Sequence, residues 1–366
     1  MKQPVRIVLW VLCAVMILSA PLVFSSPAML DEVKESLMGD EDYDEYEEDG
    51  DEAFEEEEEA GAAGLLNLFF STARAEELII EETEDGETGP LGAPIYELPV
   101  DFSVPPAPNP DGFTEDGYED ETIRVRMEDR EEDGVIWHLA FVEIASPTQL
   151  RTATAVPGKL TSSKTVKVSS MARYNNAVVA LNGDNFVDQP KKTTFEYRMG
   201  EKIRNKGNRT KDVLIIDGKG DFHFVLADGS HSAEEHTQLT RDTAEALGMV
   251  NAFTFGPALV VDGEIREVEG EYGYNPNGKE PRTAIGQLGT LSYVMVIAEG
   301  RGESAGVTQP ELAQFMLALG CEQAFNLDGG NSAEMVFNGT LYKGMPGGEE
   351  RSLSDIIYFA TAVPEN

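Results

Sequence analysis

The sequence predicts an α+β fold: mixed, largely antiparallel sheets packed with a few helices, preceded by a disordered acidic tail. Three observations lead to it. Short apolar or alternating runs recur at irregular spacing through the second part of the chain. Only two segments there combine a helical repeat with capping signals. The charge is segregated: of a net charge of −39, residues 1–120 hold 32 acidic and 4 basic side chains. Many irregular strands with few helices are unlike an alternating βαβ array, and no internal repeat is visible.

In chain order, Lys2 and Arg6 precede an apolar run from Ile7 to Phe24, broken only by Ser19 and Pro21. The run just reaches the length of a membrane span, and Ser26-Pro27-Ala28 offers small residues for cleavage. Residues 1–28 therefore read as a signal peptide or a membrane anchor. Either way the rest is expected outside the cell, extracellular or anchored at the surface, meeting the membrane through this segment only. Asp40 to Glu59 has almost no branched aliphatics and repels itself, which predicts a solvated spacer. Leu65 to Phe70 reads as a sticky linker patch or a short helix. Ala73-Arg74-Ala75 follows it, but the block before it is acidic where a signal peptide needs positive charge. Residues 81–120, rich in Pro, Gly and acid, read as a semi-stiff extended linker. Residues 29–120 are thus expected to be linker, and 121–366 the folded domain. That domain holds 35 acidic and 24 basic side chains. No nucleic acid is expected as a partner, because phosphate backbones need a basic face.

Val135 to Ala145 alternates with period 2, with Val135, Trp137, Leu139 and Phe141 on one face and Ile136, His138 and Val142 on the other. Asn176 to Leu181 reads as a short buried strand. Val213–Asp217 and Phe222–Ala227 flank Asp217-Gly218-Lys219-Gly220, a hairpin signal. Ser232 to Leu247 reads as a helix, with Ser232 and Glu235 placed for a capping box. Thr254–Val261, Ala284–Leu288 and Ser292–Ala298 read as strands. A second helix starts at Thr308, with Pro310 in its first turn and Glu311 completing a capping box. Leu312, Phe315, Met316 and Leu319 make its buried stripe, and Gly320 ends it. The apolar run Ala324–Leu327 then leads into Asp328-Gly329-Gly330-Asn331-Ser332, an acid and a hydroxyl on a Gly-rich turn at a strand end, where polar chemistry is usually presented. Ile356 to Ala362 closes the chain as a strand.

Four segments carry a family resemblance. Asn326-Leu327-Asp328-Gly329-Gly330-Asn331-Ser332 is similar to "NLDGGGSS" of the phosphodiester glycosidases. Ala180-Leu181-Asn182-Gly183-Asp184-Asn185-Phe186 resembles their "AINGGFF", and Phe255 to Gly263 resembles "GPxLxxxG". Arg282-Thr283-Ala284-Ile285-Gly286 matches "RTAIG", and Arg351 to Asp355 sits where the family has a short Arg-containing strand. The four come in the family's order, and the resemblance covers roughly residues 135–363. The family includes the uncovering enzyme, which removes N-acetylglucosamine from a sugar-phosphate diester. The resemblance implies an exported glycoside hydrolase cleaving a glycosyl–phosphate linkage in a cell-surface polysaccharide or glycan, with a carbohydrate or sugar-phosphate substrate and no cofactor.

Such a site needs a cation for the phosphate, a carboxylate to activate water or to stabilise a cationic sugar carbon, and polar groups for the sugar. The resemblance assigns the carboxylate to Asp328, with Asp184 or Glu334 as the second acid. It gives the phosphate to Arg282, whose planar guanidinium suits two-point binding. Arg301, in Glu299-Gly300-Arg301 where the family often has "DGR", is a further candidate, and Thr283 lies beside Arg282. Asn182, Ser332 and the backbone amides of Gly183, Gly329 and Gly330 are expected to hold the sugar and the developing charge.

The departures from the family pattern bear on activity. Asp184 and Asn185 replace a Gly and a Phe. Asn331 replaces the third Gly of the loop, where Asn is the least costly substitute if the backbone needs positive φ. Ala333 removes a hydroxyl, and Glu334 adds an acid. These changes keep open a surface glycan-binding protein that retains the fold without the reaction. His231 and His236 are misaligned for one helix face. His138 and His223 lie in apolar strands as core or surface positions. No metal is expected: calcium on Asp328, Asp184 or Asn182 lacks the Asp-x-Asp-x-Asp loop that would support it. Cys321 reads as a buried small hydrophobe.

Overall fold

The computed structural model describes residues 81–82, 89–92, 96–97 and 103–362, apart from positions 158, 160–161, 190–193, 208, 268–274 and 345–347. The expected leader, the acidic run Asp40–Glu59 and the patch Leu65–Phe70 lie outside the described residues. Strands β1 (Ile123–Glu132) and β2 (Val135–Ile144) form a long antiparallel hairpin. Its turn, Asp133-Gly134, has positive φ at both residues, as a tight hairpin with right-handed strand twist requires. The chain continues through β3 (Leu150–Thr154), helix α1 (Val168–Tyr174), β4 (Val179–Asn182), β5 (Phe195–Arg198) and β6 (Glu201–Asn205). A second hairpin, β7 (Val213–Asp217) and β8 (Phe222–Val225), leads to helix α2 (Ala233–Ala246). Then come β9 (Met249–Phe253), β10 (Ala258–Val261), β11 (Arg282–Gly289) and β12 (Ser292–Ala298). Helix α3 (Gln309–Ala318), β13 (Gln323–Leu327), β14 (Met335–Phe337), β15 (Thr340–Lys343) and β16 (Asp355–Phe359) complete the order.

The strands assemble into three larger sheets. The first runs β10-β13-β11-β12-β2-β1, extended at each edge by short strands. The second runs β15-β14-β4-β16-β3 and the third β6-β5-β9-β7-β8. Every strand pair described in them is antiparallel. The α+β class expected from the irregular strand spacing is therefore what forms, with α1 an element that the sequence pattern did not signal.

Packing follows the pleat. Along β2, Val135, Trp137 and Leu139 face the cluster built with Leu312, Ala313 and Met316 of α3, while Ala140, Val142 and Ile144 face the largest core. The same parity runs through β11 and β12. Ile285, Tyr293, Met295 and Ile297 enter the large core, whereas Ala284, Val294 and Val296 lie under α3. Both expected capping boxes form, Ser232 with Glu235 and Thr308 with Glu311. Leu312 and Met316 are fully buried, with Phe315 stacked on Trp137 at 3.6 Å between ring centroids. Cys321 is buried under α3, and burial pushes its thiol up to about 12.

Strand pairing begins upstream of residue 121. The short strand Gly117–Glu119 pairs with β1, and Tyr118 is buried in the large core. Asp120 accepts hydrogen bonds from the Tyr118 hydroxyl at 2.8 Å, the Thr122 amide at 2.7 Å, the Ile123 amide at 3.0 Å and the Thr361 hydroxyl, so it joins both ends of the described chain. A chain starting at Ser103 is expected to melt within a few degrees of the full chain. One starting at Glu121 loses Tyr118 and the Asp120 bonds, worth about 2 kcal/mol or more, and should melt about 5–10 °C lower. Equal melting of the two by differential scanning calorimetry would show that residues 103–120 add nothing.

Candidate active site

Several strands end at one place. Asn182 is the last residue of β4, Thr283 the second of β11, and Asp328 follows β13. The Asn182 carboxamide is fully buried and joins them. Its Nδ2 donates to the Asp328 carbonyl at 2.7 Å and to the Gly183 carbonyl at 2.9 Å. Its Oδ1 accepts from the Thr283 hydroxyl at 3.2 Å and the Glu334 amide at 3.1 Å. A carboxamide has two N–H donors and two acceptor positions, so all four are used within the protein. Asn182 and Thr283 thus position the Asp328 loop from beneath.

Beside them lies a buried charge cluster. Arg198, at the end of β5, donates to Asp355 through Nε at 3.1 Å and Nη2 at 2.8 Å, and to Asp184 at 2.7 Å. Glu196 lies 3.3 Å from its Nη1, and its guanidinium stacks 3.8 Å above the Phe253 ring. The three carboxylates outweigh burial and raise the Arg198 pKa. Burial, and then repulsion from Asp184, pushes Glu196 well above the usual carboxylate range. The cluster leaves no room above Gly183: a Cβ there would stand 1.9 Å from Asp355 Oδ2. Glycine is obligatory at that position because a charged side chain crosses its backbone.

Asp328 is the partly buried acid of this region. Burial pushes its carboxyl up to about 6, against the pull of Ser332, Arg351 and Asn185 and with added repulsion from Asp184. Ser332 is buried, and its hydroxyl accepts from Arg351 Nη1 at 2.6 Å. The half-exposed Arg351 also reaches Asp188 at 3.2 Å. Its backbone amide donates to Glu334 Oε1. The Glu334 carboxyl is buried, its Oε2 has no hydrogen-bond partner, and burial pushes it up to about 7.

The expected site residues therefore divide. Asp328 and Ser332 share one locus with Arg351. Asp184 is held by Arg198 and by the Thr254 amide at 3.2 Å. Glu334 anchors the backbone of Arg351. Arg282 turns elsewhere. It follows the pleat opposite to Thr283 and donates to the carbonyls of Val307 at 3.2 Å, Asn275 at 2.7 Å and Gly278 at 3.0 Å. That guanidinium braces the loop before β11. Arg301 is exposed beside the loop, bound to Glu280 at 2.6 Å and to Asn331 Oδ1 at 2.8 Å. The amides of Gly183 and Gly330 donate to the Asp355 and Pro281 carbonyls, at 2.9 and 2.8 Å. The residue that needs positive φ in the loop is Gly330, at +60°, and not Asn331. A Cβ on Gly329 would stand 2.7 Å from the Pro281 carbonyl oxygen, so that glycine allows the loop to close on β11. The sequence signals point to neither Arg198 nor Lys211, and they mark Arg351 and Asp355 only as the ends of an Arg-containing segment without a site role. Among the described residues no three His, Cys, Asp or Glu side chains gather as a metal site, and no helix is long and apolar enough to cross a membrane.

Two stability outcomes follow. Asp328 has a folded-state pKa raised above its unfolded value, so burial of the ionised form destabilises the fold as pH rises from about 4 through about 6. Asp328→Asn should therefore be about 1–2 kcal/mol more stable than the parent at pH 8 and no more stable at pH 3.5, by urea denaturation. Arg282→Lys should cost about 1–3 kcal/mol, since one ammonium cannot span three carbonyls; an unchanged denaturation midpoint would show that the brace is dispensable.

Comparison with known proteins places the chain. The family model described as phosphodiester glycosidase matches residues 175–360. The SPbeta prophage-derived uncharacterized protein YomE of Bacillus subtilis (strain 168) is 30% identical over 192 residues, 52% of this chain and 29% of that protein. The N-acetylglucosamine-1-phosphodiester alpha-N-acetylglucosaminidase of Bos taurus is 28% identical over 212 residues, 54% of this chain and 38% of the enzyme. The chain thus spans well under half the length of these curated relatives. The zebrafish catalytic domain of the same enzyme, solved auto-inhibited by its pro-peptide, superposes with a TM-score of 0.50 at 18% identity, covering 70% of this chain and 87% of that one. That likeness is one of fold. With the ordered motifs on the strands that build the Asn182–Asp328 locus, and the family model matching half the chain, the protein belongs to the phosphodiester glycosidase family.

Proposed function

We propose that this protein hydrolyses a sugar-1-phosphodiester, cleaving the glycosyl–phosphate bond of a cell-surface polysaccharide or glycan after export. One observation supports this above the others: Asp328 stands on a Gly-Gly loop at a strand end, partly buried, linked through Ser332 to the half-exposed Arg351. A carboxylate whose pKa is raised to about 6 is a better base than an ordinary aspartate and is still ionised at neutral pH. In this scheme Asp328 takes a proton from water as the water oxygen bonds to the anomeric carbon. The electron pair of the breaking C–O bond leaves with the phosphate monoester. That leaving group is a weak base and needs little protonation, so one free carboxylate suffices and the engaged states of Asp184 and Glu334 are no obstacle. Arg351 takes the role first assigned to Arg282, as a guanidinium beside Asp328 that is open to a phosphate. Arg301 flanks the loop on its exposed side and would meet the larger part of the substrate.

The same engagement of Asp184 and Glu334 favours a second reading, a surface glycan-binding protein without turnover. One experiment separates the two. The full chain is incubated with a panel of synthetic sugar-1-phosphodiesters, and released sugar is measured. Turnover by the parent, with loss of at least about 100-fold in Asp328→Asn, is the expected result for a catalytic base. The parent rate should fall tenfold per pH unit below about 6, as Asp328 takes up its proton. Saturable glycan binding without release of sugar would establish the binding protein instead, and undiminished turnover by Asp328→Asn would move the chemistry elsewhere.

A further inference from the structure

Lys211 stands two residues before β7, half-buried, and its ammonium contacts Gln189 and the Phe255 ring. It donates to Gln189 Oε1 at 3.1 Å, and Gln189 in turn donates Nε2 to the Asp184 carbonyl at 3.0 Å. The Phe255 ring backs it, with Nζ 5.6 Å from the centroid. The residue before that ring, Thr254, donates its amide to the Asp184 carboxylate. The carboxylates whose charge Lys211 feels are Asp184, Glu196 and Asp328. The ammonium is therefore fixed on the acid-bearing side of the locus, within the field of the proposed base.

We infer that Lys211 is a second cation of the Asp328 locus and forms, with Arg351, a subsite for the phosphate group of a sugar phosphate. The inference deepens the hydrolytic reading and rests on it for the nature of the anion. Two features support it beyond position. A compact ammonium partly withdrawn from water interacts strongly with an incoming oxyanion. A phosphodiester presents two non-bridging oxygens, which one guanidinium in contact with Ser332 and one ammonium in contact with Gln189 can share. Arg198 cannot serve, because its donors are spent on three carboxylates and two carbonyls inside the protein. Burial lowers the Lys211 pKa to about 8, against the attraction of Asp184, Glu196 and Asp328. Its charge is accordingly present at pH 7 and is lost as pH rises through about 8. The alternative role is a counter-ion to the buried acids, which predicts an effect on stability and none on anion binding.

The test uses the full chain and inorganic phosphate, titrated by isothermal calorimetry at pH 7 and pH 9, with thermal melts of each variant alongside. Lys211→Met is expected to weaken phosphate binding at least about tenfold at pH 7, and Lys211→Arg to retain it within about threefold, since charge is kept and point geometry is not essential to a single contact. The parent should bind more weakly at pH 9 than at pH 7, although phosphate itself gains charge over that interval. Parent-like binding by a folded Lys211→Met overturns the inference, as does an affinity in the parent that holds or rises between pH 7 and pH 9. The pH comparison needs no variant, so it decides even if Lys211→Met fails to fold. A parent that cleaves sugar phosphodiesters but binds no phosphate removes this subsite and leaves the hydrolase. A parent that binds phosphate through Lys211 but cleaves nothing keeps the subsite and removes the hydrolase.

Discussion

The buried carboxamide of Asn182 is the interaction on which the rest of the locus depends. Its hydrogen bonds link the ends of four strands: its own, that of Thr283, that leading to Asp328 and that which follows Glu334. Buried carbonyls and amides that lose a partner cost about 1–3 kcal/mol each. Removing this carboxamide would strand the Asp328 carbonyl, the Glu334 amide and the Thr283 hydroxyl together. No other small side chain supplies two donors and two acceptors in one plane. An aspartate there would place a charge in a fully buried position and lose both donations. The Asp328 loop therefore has a position because Asn182 gives it one.

A second constraint acts from the side. Asp355 lies across the backbone of Gly183, and Arg198 holds Asp355 and Asp184 from within the protein. Such a cluster is no simple source of stability, because desolvation offsets much of the attraction. Its effect here is geometric. The Asn185 amide donates to Asp355 Oδ1 and Asn185 lies beside Asp328, while Arg198 bonds both Asp184 and Asp355, so the first and last motif segments are tied together.

Much of this was legible in the sequence, and the reason is local. Capping boxes, the Asp217–Gly220 hairpin and the Gly-rich turn after Leu327 are encoded by neighbours within a few residues, and each forms where its signal lies. The face of a strand is also local, and the alternation of Thr283 with Arg282 already placed their side chains on opposite sides of β11. Arg198 and Lys211 carried no comparable signal, and Arg351 and Asp355 stood out only as the ends of a segment resembling the family's Arg-containing strand. They sit in short strands or at strand edges, and their charges meet only after three sheets have formed. Helix α1 escaped notice for a related reason: its seven residues are too few to show a period, and Lys167 gives it no side-chain cap.

The division of labour among the acids explains how one region carries so much negative charge. Asp184, Asp355 and Glu196 share Arg198, and Glu334 is a buried acceptor for a backbone amide. Each is engaged by a partner inside the protein. Asp328 alone is left partly buried with a weak counter-charge, since the guanidinium near it is shared with Ser332 and Asp188. A tighter ion pair would lower its pKa and make it a poorer base; full burial would raise the pKa until the group is neutral at pH 7. An intermediate value requires an arginine that is close but divided. The loop glycines allow the close approach to β11 that buries Asp328, and Arg351 supplies the divided charge. Basicity at Asp328 is therefore set jointly by residues more than a hundred positions apart, from Asp184 and Asp188 to Arg351, and fold and electrostatics at this locus are one constraint.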